Sequence, residues 1–338
     1  MAKNICVRFA TNRRPIGSPV QEFGSDLSSH EGTDLRYGSV NVAVTDSGVT
    51  YVKNSLTVAD EQLYAGSGKS KDMVFGSAEV NDGFRKDMKQ GDALGILHGF
   101  FNTFEASIEG SARVLVNANV PDVPLFVFAW PSKGKVTGYL PDRKAATRSG
   151  EAFARAVQKF IEYVRSLSRR EFCNHEVNLL AHSMGNYVLR FGLQAIRERH
   201  PELLERQIFS DVILVAADED ADALEREDKL QLLSRLARRI TVYYTDLDGA
   251  LWTSDNVKFN PDRLGRRGPS RISGTPDNVF AVDVTAVIQA DKPNRYHGYH
   301  RSIPRVGDDI RALLNNVPTY DIPSRVVSRE HPRRFSLV

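Results

Sequence analysis

The sequence predicts an α/β fold: a doubly wound, mostly parallel sheet with antiparallel strands added at its N-terminal end. Three observations carry this expectation. Short apolar runs recur from about residue 91 onward, helix-period segments separate them, and the first 90 residues have a different, turn-rich texture. Strands covered on both faces read as continuous apolar runs. Repeated alternation of strand and helix calls for right-handed crossovers that bring the strands parallel.

Residues 1 to about 90 carry Gly, Ser, Asn and Asp between short alternating runs such as Ser39–Thr45, which read as antiparallel strands and long turns, not helices. The apolar runs that follow are Ala93–Leu97, Pro124–Trp130, Val177–Ala181, Val212–Ala217, Ile240–Tyr244 and Val279–Val284. Helices are expected at Thr103–Ala118, Ala145–Ser168, Gly185–His200, Ala221–Arg238 and Val306–Leu314. A long connection, Gly249 to Asn278, separates the last two runs; connections of that length are often covers over a site. The chain is expected to form one domain over 1–338, with a β-rich extension at 1–90, a core at 91–315 and a tail at 316–338. The tail's Arg329, Arg333 and Arg334 read as a solvated end.

Composition narrows the classes of function. With 45 basic and 42 acidic residues the net charge is only +3, which speaks against a strongly electrostatic nucleic-acid binder. The two cysteines, Cys6 and Cys173, offer neither a metal-ligand spacing nor a disulfide framework, so a reducing, cytoplasmic setting is expected. The first nine residues alternate like a strand and lack the apolar centre of a secretion signal. No stretch approaches the roughly 20 apolar residues that cross a bilayer.

The most informative segment is Leu179-Leu180-Ala181-His182-Ser183-Met184-Gly185. An apolar run ends abruptly at a serine and a helix-like segment follows, the order of a nucleophile elbow. Small residues two before and two after the serine let strand and helix approach closely; here they are Ala181 and Gly185. A serine hydroxyl needs a base to take its proton and an acid to orient that base. On doubly wound sheets these follow in the order serine, acid, histidine, at the carboxyl ends of strands. After Ile240–Tyr244 the chain reads Thr245-Asp246-Leu247-Asp248-Gly249, and Asp248 is the first choice of acid, Asp246 the second. Asp218, one strand earlier, is the third. After the last strand comes Tyr296-His297-Gly298-Tyr299-His300; His297 is favoured as base, with His300 the alternative and more readily read as a surface loop residue. Leu97-His98-Gly99-Phe100-Phe101 ends the first run of the alternating region, where the amides of Phe100 and Met184 could receive a developing oxyanion. The His98 side chain reads as structural, and Phe101 and Trp130 as walls of an acyl pocket or, equally, as core.

Other patterns are weaker. Ala65-Gly66-Ser67-Gly68-Lys69-Ser70 looks like the end of a phosphate loop, but Leu63 stands where its first glycine belongs and no buried strand precedes it. Asp218, Asp220 and Asp222 alternate like calcium ligands, yet Ala223 and Lys229 occupy the glycine and glutamate positions. His297 and His300 have no carboxylate or cysteine at metal-site spacing. No metal and no cofactor are expected.

With these residues in view, the chain from about 90 to 315 resembles the α/β-hydrolase superfamily, and within it an uncharacterised bacterial branch described as esterase- or lipase-like. The resemblance rests on Phe9-Ala10-Thr11-Asn12-Arg13, Tyr37-Gly38, His98-Gly99-Phe100-Phe101-Asn102-Thr103, Phe128-Ala129-Trp130-Pro131-Ser132, His182-Ser183-Met184-Gly185, Asp248 and His297-Gly298-Tyr299. The branch often has Asn-Asp and His-Ser-Tyr where this chain has Leu-Asp and His-Gly-Tyr. It implies hydrolysis of an ester or related acyl bond in a small molecule. A hydrolase-like scaffold that binds without turnover, and an acyltransferase using the same serine, are the alternatives.

Overall fold

The computed structural model describes residues 3–29, 31–59, 76–167, 175–251, 262–289 and 296–338. The segment Ala65–Ser70, Cys173 and residues 252–261 of the long connection lie outside them.

The strands are β1 (Lys3–Thr11), β2 (Arg13–Ile16), β3 (Glu22–Leu27), β4 (Arg36–Thr45), β5 (Gly48–Tyr51), β6 (Thr57–Val58), β7 (Ala93–Leu97), β8 (Leu125–Phe128), β9 (Val177–His182), β10 (Phe209–Val215), β11 (Ala237–Tyr244), β12 (Val279–Asp283), β13 (Arg325–Val327) and β14 (Arg334–Leu337). The helices are α1 (Gly76–Asp87), α2 (Phe104–Asn117), α3 (Tyr139–Ser166), α4 (Gly185–Arg199), α5 (Leu233–Leu236), α6 (Leu264–Arg267), α7 (Thr285–Gln289) and α8 (Pro304–Leu314).

Among the described residues, twelve strands form one sheet in the order β13-β14-β12-β11-β10-β9-β7-β8-β1-β4-β5, with β6 beside β4. Pairing is parallel from β1 through β8, β7, β9, β10, β11 and β12 to β14, and antiparallel at both margins. The sheet is therefore doubly wound with N-terminal antiparallel strands, as the apolar runs imply. β1 serves both parts, pairing parallel with β8 and antiparallel with β4. Two apolar layers cover the faces. Phe153, Val188, Leu189 and Leu193 of α3 and α4 pack on one, and Ile108, Leu115, Val306, Ile310 and Leu313 of α2 and α8 belong to the other. Such double coverage explains the continuous Val, Ile and Leu of the central strands.

Three stretches depart from the expectations above. Residues 76–87 form the helix α1 where strands and turns were expected; only Val80 and Phe84 supply large apolar contacts, so its helical period is weak. Ala221–Arg238 is not one helix. A 3-10 turn at Ala223–Glu225 and the single turn α5 replace it, and Ala237 already begins β11. Lys229 bridges back to Asp220 and Asp222, and Leu230 N–H donates to the Ala223 carbonyl, folding the segment on itself.

The C-terminal residues are no solvated tail. β14 lies parallel to β12 and pairs with β13, while Arg333 donates to the carbonyls of Ile272 (2.7 Å) and Pro276 (2.5 Å). Arg334 reaches the Pro269 carbonyl at 2.7 Å, and of the three basic residues only Arg329 is exposed. Arg325, on β13, is buried against Asp309 of α8 through Nε–Oδ2 (2.9 Å) and Nη2–Oδ1 (2.5 Å) contacts. Tyr243 of β11 donates to the same carboxylate. Removing one member of such a buried pair strands the other charge at a cost of about 3–5 kcal/mol. Urea unfolding of Arg325→Met should show a loss of that order; unchanged stability would mean that the C-terminal strands lie outside the cooperative unit.

Candidate active site

Ser183 stands between β9 and α4 with φ of +52°, a left-handed conformation that a non-glycine residue adopts only under constraint from its surroundings. Several contacts supply the constraint. Ser183 N–H donates to the Val215 carbonyl (2.9 Å), the Ser183 carbonyl accepts from Asp218 N–H (3.2 Å), and Asn186 Nδ2 bridges the carbonyls of Ala181 and Ser183 at 3.0 Å each. The elbow also presses on the loop after β7. A Cβ at Gly185 would lie 2.5 Å from the Leu97 carbonyl oxygen and 2.7 Å from that of His98. One at Gly99 would lie 2.8 Å from His182 Nδ1 and 2.9 Å from Ser183 Cβ. Side chains do not fit at either position.

Two loops meet the serine. Asp248 follows β11, is wholly buried, and its Oδ1 accepts the amides of Ala250 and Leu251 at 3.1 Å each. Its other oxygen faces His297 Nδ1 at 2.7 Å, and His297 Nε2 lies 2.9 Å from Ser183 Oγ. Three residues from distant parts of the chain thus touch in a row. Because a carboxylate only accepts, the Nδ1 proton points to Asp248 and the Nε2 lone pair to the serine hydroxyl. Burial disfavours the imidazolium, but the charge and hydrogen bond of Asp248 outweigh it, so the His297 pKa is raised.

The other acid candidates are elsewhere engaged. Asp246 is exposed. Asp218 is buried, accepts from Tyr139 OH (2.7 Å) and lies 3.6 Å from Arg263 Nε, and its charge adds to the rise of the His297 pKa. His300 corrects the expectation of a surface histidine: it is 3% exposed, its ring centroid is 4.3 Å from that of His182, and burial drives its pKa well below the usual value. Trp130 is likewise no pocket wall. It is fully buried, its indole donates to the His98 carbonyl (2.8 Å), and its ring stacks on the His98 imidazole. His98 is structural, as expected, with a pKa lowered to about 3 by burial and by Arg13. Phe101 is half exposed beside the site, with φ of +67°. The amides of Phe100 and Met184 donate to no described residue.

His182, Tyr299 and Arg13 lie in the motifs that carry the resemblance, but no local pattern assigns them the supporting contacts they make. His182 Nε2 contacts the His297 carbonyl at 3.0 Å. Tyr299 OH accepts from Ala216 N–H and donates to the Tyr243 carbonyl, both at 3.0 Å, pinning the histidine loop to the ends of β10 and β11. Arg13, fully buried, donates to the carbonyls of Asn102 (2.9 Å), Gly24 and Ser132, so the N-terminal strands brace the loop after β7. A cavity of about 390 Å³, lined by Met88, Phe160, Val177 and Phe209, opens at the amino-terminal ends of β9 and β10, away from Ser183. Among the described residues no group of His, Cys, Asp and Glu could hold a metal ion. No described helix is long and apolar enough to cross a membrane.

These features accompany a family. Residues 77–315 match the family described as alpha/beta hydrolase of unknown function (DUF900), and the chain belongs to it. It has a hydrolase scaffold. No curated protein matches the chain.

Two measurements check this geometry. Imidazole titration by NMR should place His297 above the ordinary histidine range near 6.5, and Asp248→Asn should lower it by removing the attraction. Gly99→Ala should lose about 1–3 kcal/mol to overpacking, read as a fall in Tm; an unchanged Tm would contradict the contact with Ser183.

Proposed function

We propose that the protein is a serine hydrolase that cleaves a carboxylic ester, or a related acyl bond, through an acyl-enzyme intermediate. The reading rests on the continuous contact Ser183 Oγ–His297 Nε2–Asp248 at 2.9 and 2.7 Å. His297 Nε2 takes the hydroxyl proton as Ser183 Oγ attacks the acyl carbonyl. Asp248 keeps the proton on Nδ1 and stabilises the imidazolium that forms. The carbonyl oxygen, now negative, is received by the amides of Phe100 and Met184, each such donor being worth about 3 kcal/mol in the barrier. His297 then protonates the departing alcohol, water enters, and the same steps in reverse release the acid. Phe101, half exposed next to Phe100, offers apolar surface to the acyl group.

The same chain of groups predicts how activity depends on pH. His297 must be neutral to accept the proton, and its pKa is raised. Activity should therefore fall as pH drops, with a midpoint above that of free histidine, and Asp248→Asn should shift this limb downward. On p-nitrophenyl esters of varied chain length, Ser183→Ala should lower kcat by roughly 10⁴- to 10⁶-fold, and Asp248→Asn by about 10⁴-fold. Ester turnover that survives Ser183→Ala would refute the proposal. An added acceptor alcohol that is acylated faster than water attacks would instead make the enzyme an acyltransferase with the same nucleophile.

A further inference from the structure

We infer that Arg301 and His300 form a binding site for a small monovalent inorganic anion, of the halide class, directly behind the proposed base.

Arg301 is a partly buried cation whose guanidinium forms no hydrogen bond or ion pair with any described residue, although its backbone N–H donates to the Gly298 carbonyl (3.1 Å). Its guanidinium is wedged between two glycines: a Cβ at Gly110 of α2 would lie 2.8 Å from Nη1, and one at Gly298 would lie 3.3 Å from Nε. Burial lowers its pKa, and the other charge that acts on it, Arg113, has the same sign. Arg113 has Glu109 as its own partner, at 3.4 Å. An ion withdrawn from water without a partner is costly, and charged groups so placed are normally matched by a counter-charge. The described chain supplies none here.

A cavity of about 10 Å³ lies against this guanidinium, lined by His98, Asn102, Ser107, His182, His300 and Arg301 among others. That is room for one water-sized particle. The His300 imidazole, buried and without a partner for its Nδ1, borders the cavity. In its Nδ1–H tautomer it is a second donor beside Arg301. His98 turns the Nδ1–H to the Gly99 carbonyl (2.9 Å), so its orphaned Nε2 presents a lone pair that disfavours a second negative charge. Size and charge together select one small monovalent anion. Its occupancy would also reach the proposed base, because the Arg301 charge opposes protonation of His297 and a bound anion cancels that charge.

The test uses the full chain at constant ionic strength, replacing sulfate by bromide. Wild type should show a saturable rise in Tm of a few degrees, absent in Arg301→Gln, and crystals grown in bromide should give an anomalous peak between Arg301 and His300. The acid limb of the ester pH profile should move upward in bromide. A Tm response that never saturates, an equal response in Arg301→Gln, or density in the cavity with no anomalous signal, which would identify water, overturns the inference. If Arg301→Gln does not fold, the anomalous peak on wild type decides alone. The Tm and diffraction readouts need no catalysis, so they stand apart from the hydrolase proposal.

Discussion

The backbone at Ser183 is held in a conformation that costs of order 1–3 kcal/mol for a residue with a side chain, and much of the surrounding structure keeps it there. The hydroxyl can stand clear of the sheet only because β9 turns into α4 without an intervening loop. That turn is possible because the loop after β7 carries no side chain at Gly99 and the helix none at Gly185. Asn186 closes the turn from the helix side, and the ends of β10 close it from the sheet. The strain is thus balanced by ordinary hydrogen bonds in rigid elements, so the serine is positioned before any ligand arrives.

Four imidazoles surround this turn, and their electrostatics differ by design of their neighbours. His98, His182 and His300 are buried without a carboxylate, and each has a lowered pKa. His297 alone meets Asp248 and is raised. Neutral histidines suit structural roles: His182 contacts the His297 carbonyl, and His98 stacks on Trp130. Asp248, buried, supported by two amides and aided by the charge of Asp218, therefore separates the one of these four histidines whose pKa is raised from three whose pKa is lowered.

How much of this was legible in the sequence follows from which interactions are local. β7 and the bounds of α2 and α4 were readable because continuous apolar runs and helical periods are written along the chain. The meeting of Ser183, Asp248 and His297 could be expected from their order, since each follows a strand of one parallel sheet. Contacts between distant backbone groups leave no such mark. Arg333 binds carbonyls of Ile272 and Pro276, so its tail read as solvated. The burial of Trp130 and His300 rests on contacts with residues far along the chain, His98 for the indole and His182 for the imidazole, which no local pattern marks. The segment from Ala221 to Arg238 had enough leucine for a helix, but its acidic and basic residues bind one another across a fold-back instead.

The most direct check of the account is covalent labelling by a fluorophosphonate, which reacts only with a serine activated by its neighbours. The account requires stoichiometric labelling of folded protein, mapped to the peptide containing Ser183 and abolished in Ser183→Ala. Folded protein that stays unlabelled, or that is labelled equally well in Ser183→Ala, would contradict it.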